Sequence, residues 1–154
     1  MPHIVLHQPE IPPNTGNIIR LCANTGTDLH LIHPLGFAMT KKSLRRAYLD
    51  YEELAQITHH NNIIEMNKHF SGRGYYAVST KGKTLFSAVK FNKDDVFLFG
   101  SETQGLPKSA LSSKDCLEVL RVPMAERSRS INLANTVSVV LYEALRQLNY
   151  PGLS

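Results

Sequence analysis

Val96-Phe97-Leu98-Phe99-Gly100-Ser101-Glu102-Thr103-Gln104-Gly105-Leu106-Pro107 is an apolar run that stops at a polar loop containing two glycines. Val96 to Phe99 reads as a strand buried on both faces, as in a parallel sheet. The loop then lies at the strand's carboxyl end, where ligands bind in open α/β sheets. Gly100 and Gly105 let the backbone approach a ligand closely and leave N–H and C=O groups free. The same glycines, with Pro107, also build a plain turn.

Outward from this stretch, strands and helices alternate. His3 to Leu6, Leu29 to Ile32, Tyr75 to Val78 and Leu117 to Val122 read as further strands. Thr15 to Asn24 has helical register, with Gly26 where a C-terminal cap belongs. Ile11-Pro12-Pro13-Asn14 is expected to be non-helical because proline lacks an N–H and restricts its predecessor. Ser43 to Ala47 and Ile63 to Phe70 are expected to be short helices. The alternation implies an α/β fold over 1–154, a single domain with a mostly parallel sheet and helices on both faces.

The last helix is expected from about Asn132 to Leu148, with Leu133, Val137, Val140, Leu141, Ala144 and Leu148 as its core stripe. No charged residue occurs from Asn132 to Tyr142, and Val139 and Tyr142 fall off the stripe. A helix apolar nearly all round is buried on a second side. In a domain this small that side implies a homodimer.

Among the 154 residues 42% are hydrophobic and 19% charged, which fits a globular chain rather than a disordered one. No apolar run is long enough to span a membrane, and the N-terminus lacks the n- and h-regions of a signal peptide, so a cytoplasmic protein without a membrane partner is expected. Seventeen Lys and Arg against thirteen Asp and Glu give a net charge of +4. The cations cluster as Lys41, Lys42, Arg45 and Arg46, as Lys81 and Lys83, and as Arg127 and Arg129, beside turn-rich segments, which suits phosphate contacts as well as a solvated face. Cys22 and Cys116 are far apart in apolar stretches and are expected to be small buried hydrophobes in a reducing compartment.

Several motifs are excluded by context. Gly72-Arg73-Gly74-Tyr75-Tyr76-Ala77 matches a dinucleotide pattern, but its glycines precede a strand instead of following one. Gly82-Lys83-Thr84 resembles the end of a P-loop, yet Ala77 stands where the first glycine must fall. No GxSxG elbow is present. The seven histidines lack acidic or thiol companions at ligand spacing, so no metal is expected and they read as surface or capping residues.

Three polar, glycine- or serine-containing segments interrupt otherwise apolar elements. Asn14-Thr15-Gly16-Asn17-Ile18-Ile19-Arg20 opens the first helix, and its arginine, set among apolar residues, must reach an anion or another ordered group. The second is the loop after Phe99. The third runs from Val122-Pro123-Met124 through Arg127-Ser128-Arg129-Ser130-Ile131-Asn132-Leu133-Ala134-Asn135. Ser130 or Asn132 suits an N-cap, but two arginines with so many Ser and Asn exceed what capping requires.

In this order and spacing the three segments resemble the signature motifs of the SPOUT methyltransferases, in the branch that methylates RNA ribose. The likeness covers the whole chain and is sharpest in PEIPPNTGNIIRLCANTG, SLRRAYLDY and RSRSINLANTVSVVLYEALRQLNYPG, toward the minimal bacterial enzymes that methylate the tRNA wobble nucleotide.

The resemblance implies a SPOUT α/β-knot, in which the C-terminal segment threads a trefoil knot, although physical priors disfavour knots. It implies S-adenosylmethionine as cofactor and S-adenosylhomocysteine as product. Carried over by motif, Val78, Gly100, Val122 and Ser130 contact the cofactor, with Met124 and Leu133 nearby. Arg20 is assigned to the reacting hydroxyl. Because a guanidinium keeps its proton, anchoring phosphate or polarising oxygen suits Arg20 better than acting as base. Glu102 is a candidate base whose loop position equally suits a structural role, and Asn14, Ser128, Asn135 and Tyr142 belong to the same pocket or its dimer wall. Ala134 stands where close relatives often carry serine, so a contact through that hydroxyl is absent here. Lys41, Arg45, Arg46 and Arg129 are the candidate tRNA contacts, and an anticodon loop offers the splayed bases that single-strand recognition uses. The same chemistry on another tRNA or rRNA nucleotide, and a non-catalytic RNA- or cofactor-binding module, are the alternatives.

Overall fold

The computed structural model describes residues 1–40, 42 and 56–154. Seven strands, β1 (His3–His7), β2 (Asp28–Ile32), β3 (Ile57–His60), β4 (Tyr75–Val78), β5 (Thr84–Leu85), β6 (Val96–Phe99) and β7 (Cys116–Arg121), form one sheet in the order β3-β2-β1-β6-β4-β7-β5. Every neighbouring pair is parallel. The described helices are α1 (Pro12–Thr25), α2 (Ile63–His69), α3 (Lys108–Leu111) and α4 (Leu133–Gln147). The expected parallel α/β sheet is therefore what forms. The helix expected at Ser43 to Ala47 lies outside the described residues, as do Lys41, Arg45 and Arg46.

Strands with side chains buried on both faces divide the core in two. On one face Ile4, Leu6, Leu29, Phe97 and Phe99 pack with Ile18, Ile19 and Cys22 of α1 and Val137, Val140, Leu141 and Ala144 of α4. On the other, Val5, Ile32, Ala77 and Leu98 pack with Met66 of α2 and Ala110 of α3. Helices on both faces follow from this two-sided burial.

One boundary is corrected. Pro12 and Pro13 belong to α1, because in the first helical turn the N–H that proline lacks would have no partner anyway and its φ already fits the helix. The other end follows the expectation, with Gly26 in the left-handed region at φ 64° and its N–H donated to the Cys22 carbonyl.

The histidines are corrected as well. His30 and His60 are buried, and their rings share a hydrogen bond of 3.1 Å. His3, His60, His69 and Phe70 surround His30 with ring centroids 4.8–5.6 Å away. Parallel pairing of β1, β2 and β3 places these rings on one face, a consequence of register that spacing in the chain does not reveal. Burial first, then the neighbouring His3, His60 and His69, push His30 down to about 3. Among the described residues no group of three or more His, Cys, Asp or Glu is placed to hold a metal ion.

The two cysteines part company. Cys22 is fully buried and its thiol is pushed up to about 12, chiefly by burial. Cys116 is only partly buried at the start of β7, so the expectation of two buried thiols holds for the first alone.

Candidate functional site

The carboxyl ends of β6, β4 and β7, adjacent in the sheet, open into one cavity of about 570 Å³. Val78 ends β4, Gly100 follows β6 and Val122 follows β7, so three adjacent strands deliver three loops to one place. The segment leading into α4 closes the remaining side through Ser130, Ile131 and Leu133.

Loop geometry at Gly100 is set by close backbone approach. Ser101 pairs with Gly105 across a tight antiparallel bridge, and the Gly105 N–H donates to the Ser101 carbonyl at 3.0 Å. A Cβ on residue 100 would stand 2.2 Å from the Gly105 carbonyl carbon and 2.3 Å from the Leu106 nitrogen. Only glycine allows this fold-back, which leaves a wall of main chain facing the cavity. The loop after β4 is anchored in turn, with Ser79 donating its N–H to Leu120 of β7 at 2.9 Å.

All six residues assigned to the cofactor, Val78, Gly100, Val122, Met124, Ser130 and Leu133, line this cavity, and so do Asn14, Glu102 and Arg129. Asn14 is buried although polar, and its side chain is engaged on both sides. Its Nδ2 donates to Glu102 Oε1 at 3.2 Å, while its Oδ1 accepts from Asn132 Nδ2 at 2.9 Å. Glu102 accepts two further bonds, from the Glu10 N–H at 2.7 Å and the Ile11 N–H at 3.0 Å.

Arg20, Ser128, Asn135 and Tyr142 do not line the cavity of their own chain. Arg20 lies on the exposed side of α1, and Ser128 is exposed in the turn after β7. Asn135 is exposed in the first turn of α4, where its N–H donates to the Asn132 side chain, the N-cap of that helix, at 3.2 Å. Tyr142 and Val139 are 46% and 43% exposed, on the side of α4 away from its buried stripe.

Motif reading missed Ser79 and Thr80, which with Lys81 of the second cation cluster line the cavity directly after β4. The signal was available: a polar run beginning where the apolar strand Tyr75 to Val78 stops, the same pattern that singled out the loop after Phe99. Thr136, one turn into α4, also lines it, and only the packing of the helix end over the strand tips shows this.

Comparisons with known proteins agree with this architecture. The family profile described as the SpoU rRNA Methylase family matches residues 1–142. A curated relative from Escherichia coli (strain K12), named tRNA (cytidine(34)-2'-O)-methyltransferase, is 52% identical over 152 residues, covering 99% of this chain and 97% of the relative. A solved structure reported as giving structural insights into the 2-OH methylation of C/U34 on tRNA is 40% identical, superimposes with a TM-score of 0.91 and covers 97% of both chains. An AdoMet-bound rRNA methyltransferase from Sinorhizobium meliloti is 25% identical with a TM-score of 0.82, covering 96% of this chain and 56% of the other.

Proposed function

The chain belongs to the SpoU methylase family, and from that membership we propose that it methylates the ribose 2′-hydroxyl of the wobble nucleotide of tRNA, using S-adenosylmethionine and releasing S-adenosylhomocysteine. The observation that carries this reading is the convergence of the three motif segments on one cavity. The relatives named for cytidine 34 and C/U34 methylation support the nucleotide, and the AdoMet-bound neighbour supports the cofactor.

The residues present fit such a cofactor. A cavity of about 570 Å³ lies within the roughly 300–1,000 Å³ of small-molecule sites. Its glycine-built wall offers main-chain donors and acceptors, while Val78, Val122, Met124 and Leu133 give it apolar surface. Val78, Gly100, Val122 and Ser130 would hold the cofactor, which when bound would supply an electrophilic methyl group on a sulfonium. The protein's share is to hold the ribose oxygen in line with that methyl, because near-attack positioning can remove several kcal/mol of barrier. Arg20 anchors a phosphate or polarises the hydroxyl through its guanidinium N–H groups. Arg129 at the rim, with Lys41, Arg45 and Arg46, meets the anticodon-loop backbone.

A homodimer accounts for the exposed apolar side of α4. Covering Val139 and Tyr142 with a second copy buries a patch that water otherwise disfavours. Arg20 and Tyr142, which stand outside the cavity of their own chain, then serve a site completed by two subunits, with Ser128 and Asn135 at its wall. In the family's manner the C-terminal segment is threaded as a trefoil knot. Acting on tRNA, the enzyme works in the cytoplasm; no described helix is long and apolar enough to cross a membrane.

Incubation of the protein with methyl-labelled S-adenosylmethionine and bulk tRNA, followed by ribose mapping, tests the reading. Label at nucleotide 34 is expected, and tRNA that stays unlabelled refutes it. The family's description by rRNA favours one second reading, methylation of a different nucleotide, which the same mapping identifies. Arg20→Ala should lower methyl transfer by roughly a hundredfold or more while S-adenosylhomocysteine still binds. Loss of that binding would assign Arg20 to a different role.

A further inference from the structure

Resting on the methyl-transfer reading above, we propose that Glu102 is a positioning residue and not the proton acceptor. It ties the loop after β6 to the start of α1 and, through Asn14 and Asn132, to the start of α4.

The opening of α1 lacks its own means of termination. Its N-cap, Ile11, has no side chain to accept a hydrogen bond, Pro12 and Pro13 have no N–H, and no acidic residue lies in its first turn. Glu102 supplies what is missing from a position 91 residues away in the chain. Its two oxygens accept from the Glu10 and Ile11 N–H groups and from the Asn14 amide, and its negative charge sits at the positive end of the helix dipole. Thr103, the next residue, donates its hydroxyl to the Glu10 carboxylate at 2.8 Å and pins the same loop a second time.

Asn14 extends the tie. A buried amide that donates to Glu102 and accepts from Asn132 has one orientation that satisfies both neighbours. Asn132 in turn caps α4 by accepting from the Asn135 N–H. One chain of hydrogen bonds therefore joins all three motif segments, which are separated by 88 and 118 residues in sequence. Arg20 follows Asn14 by six residues on α1, about 9 Å along the helix axis, so the attitude of α1 against the cofactor loop sets where the guanidinium lies. A carboxylate already accepting from three N–H groups is committed to this geometry. Both lone pairs of Oε1 and one of Oε2 are taken, so of its roughly four lone-pair positions only one is left open.

Two substitutions separate positioning from simple support. Glu102→Gln puts an amide N–H₂ against backbone donors. Asn132→Asp keeps the acceptor that caps α4 but leaves the buried Asn14 oxygen without its donor, so the fold should be retained with a lowered thermal midpoint. With labelled S-adenosylmethionine and tRNA, kcat should fall about a hundredfold in Glu102→Gln, as for a displacement of about 1 Å at the reacting groups, and about tenfold in Asn132→Asp. The dissociation constant for S-adenosylhomocysteine should change by no more than about threefold in either. Because both residues act through one tie, the double variant should be no more than about twofold slower than Glu102→Gln alone. The pH dependence of kcat should keep the parent's form. Losses that multiply in the double variant, or an acidic limb that vanishes in Glu102→Gln, would overturn the proposal. A parent protein that labels no tRNA refutes the function and leaves a separate readout. The cycle of Glu102→Gln with Asn14→Ala, followed by thermal unfolding, should still cost less than the sum of its single steps, and additivity there would overturn the tie itself.

Discussion

Lowering the pH from 8 to 5 protonates histidines in the unfolded chain, while His30 in the fold resists the proton. Its ring is 2% exposed, faces Phe70 and lies against His3, His60 and His69. Burial, followed by these neighbours, holds it at about 3 against 6.5 for an ordinary histidine. The unfolded state therefore binds more protons throughout that interval, so stability is full above pH ~6.5 and is lost progressively as pH falls toward about 3. pH 5 lies about 1.5 units into this window, and each unit is worth about 1.36 kcal/mol, which gives a loss of about 2 kcal/mol from His30 alone. Burial also lowers His3, His7, His59 and His60, which adds loss of the same sign. Asp28 and Asp94 oppose the shift at His3, where the N-terminus and Arg73 reinforce it, and Glu65 opposes that at His60. The perturbation is His30→Gln, compared with the parent by urea unfolding at both pH values. The variant should lose at least about 2 kcal/mol less than the parent between pH 8 and 5, equivalent to a difference of roughly 4–8 °C in the fall of Tm. Parallel stability losses in the two proteins would refute the reasoning.

Two further outcomes follow from backbone approach and from the uncovered helix face. Gly100→Ala should destabilise the protein by about 1–3 kcal/mol, as overpacking does, and saturating S-adenosylhomocysteine should no longer raise its melting temperature; an unchanged thermal shift would show that the loop yields without cost. Val139→Asp should leave the monomer folded, since that side chain is 43% exposed in the single chain, and should shift sedimentation to the monomer. A variant that still sediments as a dimer would place the interface elsewhere.

The sequence determined the fold class and most of the elements by itself. Apolar runs such as Val96 to Phe99 are strands because side chains on both of their faces need burial, and the helical stripe Val137, Val140, Leu141 and Ala144 is buried as its spacing requires. Motif resemblance also named several of the residues that line the cavity, since Val78, Gly100 and Val122 mark strand ends legible in one dimension. Less was visible where local rules compete. Pro12 and Pro13 are breakers in general and helix starters in the first turn, and β5 is two residues long, too short for any periodicity.

Tertiary structure alone decided what depends on register and on contacts across the chain. The histidine cluster exists because parallel pairing sets Val5 against His30 and Ile32 against His60, bringing one face of three strands together. Glu102 reads in sequence as a loop carboxylate suited equally to taking a proton and to serving structure, whereas the fold surrounds it with donors from Glu10, Ile11 and Asn14. Hydrogen bonds between residues some ninety positions apart leave no trace in spacing or composition. Their geometry arises only when the sheet has brought the ends of α1, β6 and α4 to one side.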